Sequence, residues 1–251
     1  MKYSYNMFHL SKDDYRDANV QAMHQYMLEY AELIGSPTVN FESVADINDF
    51  CKSNLDFALD FSGYNPKDLS RNLLLRTLPT LKGWKLGEVG IWASNFLAWK
   101  AFLETDSDYL ILMEDDAIFS PDFMPTLVSY MTELPDDWDM YHHFVHDQDA
   151  GWYSNKLDVG APNVCRVYQE WSNLCYVINR GSAQKLLDLV KEGVDLPLDW
   201  FWSKQTEKIV SYTLKPNIYS GIRLDGSAST FQTNNKRLDL SQLNKDLPGS
   251  R

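Results

Sequence analysis

The densest group of chemically capable side chains in this 251-residue chain is Glu114, Asp115 and Asp116, inside the stretch YLILMEDDAIFSP (Tyr109 to Pro121). An apolar run leads straight into three carboxylates, and the chain turns apolar again at Ala117, Ile118 and Phe119. Consecutive residues of an extended chain point to opposite sides, so Glu114 and Asp116 can share one side while Asp115 faces the other. Two carboxylates one residue apart suit a hard divalent cation, Mn2+ or Mg2+, that keeps open positions for a diphosphate. The competing reading is a solvated acidic loop ahead of a helix, where carboxylates are favoured in any case.

Other groups are weaker candidates. His142, His143 and His146 invite a zinc reading, but adjacent strand residues face opposite ways and no Cys or further His is nearby in sequence. His146, Asp147 and Asp149 follow a strand end and could line an acceptor cleft. Trp152, Trp171, Trp200 and Trp202 are possible stacking surfaces for a sugar ring, with core packing the competing role for each. Arg71, Arg76, Lys82 and Lys85 form the one local concentration of positive charge. It reads either as a solvated loop or as a neighbour of a phosphate or acceptor.

These side chains need a scaffold, and the pattern supplies one. A first strand is expected at Tyr5 to Leu10. Ser11 could cap a helix in which Val20, Met23, Met27, Tyr30 and Ile34 recur at steps of three and four. Thr38 to Val44 alternates like a second strand, and INDFCKSNLDFALDF reads as helical. Gly87 and Gly90 read as a turn before a helix over Ala93 to Glu104. Tyr109 to Met113 is the strand that ends at the acids. Ser120 and Pro121 are a helix start, the Ser able to cap and the Pro preset for the first turn, with the helix running to about Leu134. DMYHHFV and LCYVIN read as strands, and GSAQKLLDLVKEG as a helix ended by Gly193. Strands alternating with helices predict an α/β fold with a mostly parallel central sheet flanked by helices. Such sheets bind ligands at the carboxyl ends of their strands, where the three acids stand.

Bulk properties narrow the partners. With 35 acidic against 23 basic residues the formal charge is -12, so the long-range field repels nucleic acid and anionic lipid surfaces. A diphosphate would need local positive charge, which a bound metal supplies. Three cysteines, Cys51, Cys165 and Cys175, suit a reducing compartment better than a disulfide scaffold. No stretch reaches the roughly 18 apolar residues of a transmembrane segment, and the N-terminus lacks an apolar signal core. A cytoplasmic protein of one domain over residues 1–251 is expected. Its portion 1–134 would carry mainly the donor and metal functions, and 135–251 mainly the acceptor side.

Taken in order, the blocks GEVGIWASNFLAW, DYLILMEDDAIF, WDMY, CYVINRGSAQKLLDLV and LPLDWFW resemble glycosyltransferase family 25, the family of bacterial lipopolysaccharide galactosyltransferases and collagen galactosyltransferases. The first strand and SKDDYR also resemble that family's opening. The resemblance implies a GT-A type fold, a UDP-sugar donor, a glycan acceptor and a divalent metal at a DxD-like element. It assigns the metal to Asp116 and Glu114, and the donor nucleotide to Glu114, Asp115, Arg16 and Leu10. It also makes Asp199, within Pro197, Leu198 and Asp199, the base that takes the acceptor hydroxyl's proton, with a helix N-cap as its alternative role. Glu88 is a second catalytic candidate or a structural residue. Two departures stand out: Ile91 follows Gly90 where the family usually has Cys, and Asn95 follows Ser94 where it usually has His. A phosphoryl- or nucleotidyl-transfer enzyme would need a Gly-rich loop or a dense set of metal ligands, which the sequence lacks. A catalytically silent carbohydrate-binding protein has the two departures as its support.

Overall fold

The computed structural model describes residues 1–9, 14–57, 86–144, 156–168, 173–194 and 196–224. In chain order the elements are β1 (Tyr3–Phe8), α1 (Asp14–Met27), β2 (Glu32–Leu33), α2 (Val44–Ser53), α3 (Leu86–Leu103), β3 (Tyr109–Glu114), β4 (Ala117–Phe119), α4 (Phe123–Met131), β5 (Met140–His142), β6 (Lys156–Asp158), β7 (Val164–Val167), β8 (Cys175–Asn179), α5 (Arg180–Lys191), α6 (Leu198–Lys204), β9 (Ser211–Leu214) and β10 (Ile222–Leu224).

Eight strands form one sheet in the order β2-β1-β3-β8-β5-β9-β7-β6, and β4 pairs with β10 apart from it. In the large sheet β2, β1, β3, β5, β9 and β6 run one way, while β8 and β7 run against them. This is the α/β sheet flanked by helices that the sequence predicts. Strand alternation splits the core in two. Leu110 and Leu112 pack with α3, α5 and α6 on one face, and Ile111 and Met113 pack with α1 and α4 on the other. β8 lies between β3 and β5, so the earlier and later portions of the chain share one sheet.

Several local expectations are corrected. Thr38 to Val44 is not a strand. Its polar groups are met by side chains instead of a ladder: the Val39 amide donates to Ser94 Oγ at 2.7 Å, and Thr38 Oγ1 accepts from the His9 amide at 2.8 Å. The second strand is the short β2 before Gly35. Gly87 and Gly90 lie inside α3. Gly90 is required by close approach, since a Cβ there would stand 2.6 Å from the Val39 carbonyl oxygen. Gly90→Ala should therefore cost about 1–3 kcal/mol, the usual penalty of overpacking. It would be read as a lower urea midpoint at unchanged slope.

The acidic turn is followed by β4, and α4 starts only at Phe123. Ser120 does not cap it. Its hydroxyl donates to the Gly221 carbonyl at 2.9 Å, tying β4 to the strand returning from the C-terminal side. α1 ends at Met27, so Tyr30 and Ile34 lie beyond the helix whose stripe they seemed to extend.

Candidate active site

β3 carries the acids out at its carboxyl end. Alternation from Leu110 and Leu112 puts Glu114 on the α3 face, and the chain turns at Asp115 and Asp116 before β4. Asp115 is held from the α1 side. Arg16 Nη1 donates to its Oδ1 at 2.7 Å, and His9 Nδ1 stands 3.0 Å from its Oδ2. Arg16 and Asp115 are 2% and 4% exposed, so this is a buried ion pair. Asn19 Nδ2 donates to the backbone carbonyls of Asp115 at 3.3 Å and Ala117 at 2.9 Å, one on each side of Asp116.

Glu114 is in a different situation. Burial first, and then the charges of Asp116, Asp115 and Asp199, push its carboxyl up to about 8, with Arg16 opposing. Burial and like charge thus act together on this carboxyl. A carboxyl whose folded pKa exceeds its ordinary 4.5 keeps its proton in the folded state while the unfolded chain releases it. Between about pH 4.5 and 8 the unfolded chain thus binds fewer protons, and stability falls as pH rises. The metal-free melting temperature should drop between about pH 6 and pH 8 in the wild type, and Glu114→Gln should flatten that slope.

Asp199, 85 positions after Glu114, lies in the first turn of α6 and reaches Glu114 electrostatically. It is not the N-cap, which is Pro197. Glu88 sits half-buried in the first turn of α3. Leu10 lies outside the described residues, as do Arg71, Arg76, Lys82, Lys85, His146, Asp147, Asp149, Trp152 and Trp171.

Beneath Glu114 on the α3 face is a polar seam in an aromatic layer. The Tyr176 hydroxyl accepts from Trp99 Nε1 at 3.1 Å and donates to Asn95 Oδ1, while Asn95 Nδ2 donates to the Ile91 carbonyl at 2.8 Å. Asn95 is fully buried, so the residue that departs from the family pattern serves an internal contact to Tyr176. Trp202 is 4% exposed and packs on Trp92, Trp99 and Tyr176, which makes it core and not a sugar-stacking surface.

The two described histidines of β5 and its end part company. His142 lies against Tyr176 on the α3 face. His143 turns to Phe123, accepts from the Tyr141 hydroxyl at Nδ1 (2.9 Å) and donates from Nε2 to the Ser220 carbonyl (2.7 Å). Burial lowers its pKa to about 4, so it is neutral, as one donor and one acceptor contact require. Together with the Ser120 and Tyr219 contacts it clasps residues 219–224 to the exit of the acidic turn.

Among the described residues no three His, Cys, Asp or Glu side chains gather closely enough to cage a cation by themselves. That donor set still fits a hard divalent ion, which takes one or two carboxylates and completes its shell with water and substrate phosphate. Glu114 and Asp116 stand close enough for the charge of one to act on the other. Sequence reading missed His9, Asp17 and Asn19. Asn19 was findable, lying one helical turn after Arg16.

Human and mouse procollagen galactosyltransferase 2 are each 27% identical to this chain over 122 residues, 46% of this chain and 19% of theirs. The chain thus aligns with about a fifth of the length of those curated relatives. A crystal structure of a Drosophila beta-1,4-galactosyltransferase 7 mutant in complex with manganese, UDP-Gal and xylobiose covers 95% of this chain and 81% of its own, at 10% identity and a TM-score of 0.37. Residues 47–202 match the profile of glycosyltransferase family 25, described as LPS biosynthesis protein. That match takes in more than half of the chain, from α2 through the acidic turn to α6, and the chain belongs to glycosyltransferase family 25.

Proposed function

We propose that this chain is an inverting, metal-dependent hexosyltransferase that moves galactose from UDP-galactose to a hydroxyl of a glycan acceptor, on a single GT-A type domain. The observation that carries the reading is the meeting of Glu114 with the charges of Asp116 and Asp199 at the carboxyl end of β3, where burial first and then those charges push Glu114 up to about 8. Like charges brought together in a shielded site are costly, and a cation with a diphosphate offsets that cost. Family membership supports sugar transfer, and the names of the two mammalian relatives support galactose.

Glu114 and Asp116 would hold Mn2+ or Mg2+, and the ion would supply positive charge to the diphosphate of the donor. The chain's own residues do the rest. Asp199, on a short helix that enters from the far end of the chain, accepts the proton of the acceptor hydroxyl. Trp92, Trp99 and Trp202 hold α6 against α3 and so fix where Asp199 stands. A cytoplasmic setting is part of the proposal, supported by three free thiols, and no helix among the described residues is long and apolar enough to cross a membrane.

The test is a thermal-shift panel of UDP-galactose, UDP-glucose and their N-acetyl analogues, each with and without Mn2+, followed by assay of UDP release. Ligand at about a hundred times its Kd should stabilise the folded state by about 2.7 kcal/mol. UDP-galactose with Mn2+ is expected to give the largest rise. A protein that ignores every nucleotide sugar with metal present ends the proposal. Metal-independent glycan binding without UDP release would favour a silent lectin-like role instead.

A further inference from the structure

The middle acid of the turn is gripped from behind. We infer that Asp115 is a positioning residue and not a nucleotide ligand, and that an Asp17–His9–Asp115 chain with Arg16 and Asn19 sets where Asp116 and Glu114 stand. The inference rests on the transferase reading above and concerns how its site is held.

Both oxygens of Asp115 already accept from the protein, Oδ1 from Arg16 at 2.7 Å and Oδ2 facing His9 Nδ1 at 3.0 Å. The far side of the His9 ring is taken by Asp17, whose Oδ1 contacts Nε2. The ring thus bridges the two carboxylates, one at each nitrogen. The His9 backbone is itself fixed, its amide donating to Thr38 Oγ1 at 2.8 Å. Asn19 closes the arrangement by binding the carbonyls on either side of Asp116, which restrains that residue through its flanking peptide groups.

Packing alone does not require this. Arg16 and Asp115 are buried in a face otherwise filled by Met7, Val20, Met23 and Ile111, where apolar residues of equal volume would serve. The polar chain is explained by what it orients. Side chains behind metal-binding carboxylates commonly tune affinity by 10–100-fold without contacting the ion.

Mn2+ uptake in the presence of UDP, followed by the electron paramagnetic resonance of free Mn2+, tests the chain directly, with UDP-galactose turnover giving kcat and KM in parallel. His9→Ala and Asn19→Ala should each weaken Mn2+ uptake by about 10–100-fold. His9→Gln keeps a donor toward Asp115 and should recover most of the loss. Asp17→Asn, at a carboxylate 39% exposed, should show a smaller loss with little change in melting temperature. Combining it with His9→Ala should add nothing further, because both act through one ring. Should His9→Ala fail to fold, Asp17→Asn and His9→Gln still decide the matter. If Asp115→Asn weakens UDP binding at saturating Mn2+ while Mn2+ affinity stays unchanged, Asp115 is a nucleotide ligand and the inference is wrong. Variants that all match a Mn2+-binding wild type also overturn it. A wild type that takes up no Mn2+ with UDP overturns the transferase reading and the inference with it.

Discussion

Asp116→Ala should reduce UDP-sugar turnover by about a thousandfold or more, equivalent to about 4 kcal/mol of lost transition-state stabilisation. It should also abolish the Mn2+-dependent rise in melting temperature. Stability without metal is expected to move the other way. Asp116 is the first of the neighbouring charges that raise Glu114, so its removal eases the repulsion at the end of β3. The Glu114 carboxyl should move back toward its ordinary range, and the melting temperature should hold or rise. Opposite signs for function and stability are what a strained binding site produces. A variant that is merely misfolded lowers both. Asp116→Asn, with the shape kept and the charge gone, should behave like the alanine variant in both assays.

The second large effect is on the fold. Arg16→Ala would leave Asp115 buried without its cation, and breaking a buried pair by removing one partner costs about 3–5 kcal/mol. At 2–4 °C per kcal/mol for a chain of this size, the melting temperature should fall by about 10 °C. Arg16→Lys should recover only part of this, because the contact is made by a planar guanidinium whose geometry an ammonium does not copy. Arg16→Met with Asp115→Asn should regain most of the stability, since the pair is then neutral. That double variant should still bind Mn2+ and UDP poorly if the pair orients the turn. Calorimetry beside the binding assay separates the two contributions.

The strand and its acids were legible because a short apolar run ending in carboxylates reports burial and its end directly. β3 and β8 fall within one residue of where their apolar runs put them, and α5 runs where its apolar spacing put it. The stretch around Thr38 misled because hydrogen bonds to Ser94 Oγ and from the His9 amide hold it without a partner strand. Gly87 and Gly90 misled for a related reason. A glycine can mark a turn or the close approach of another segment, and only the neighbour tells which.

The triplet's alternation was readable from local geometry: Glu114 goes to one face of the sheet and Asp115 to the other. So was the acidic field, which any diphosphate partner would have to meet with local positive charge. What no local pattern carries is which distant side chains arrive there. Asp199 reaches Glu114 from 85 positions downstream, and His9 and Asn19 reach the turn from about 100 positions upstream. Parallel pairing of β1 with β3, and the packing of α6 on α3, bring them in. Asn95 shows the same limit from the other side. Its identity marks a departure from the family, and only its burial against Tyr176 reveals an internal bond. Periodicity reports the environment of each residue along its own element, whereas a site is assembled from the ends of several, and its members are chosen by the sheet order.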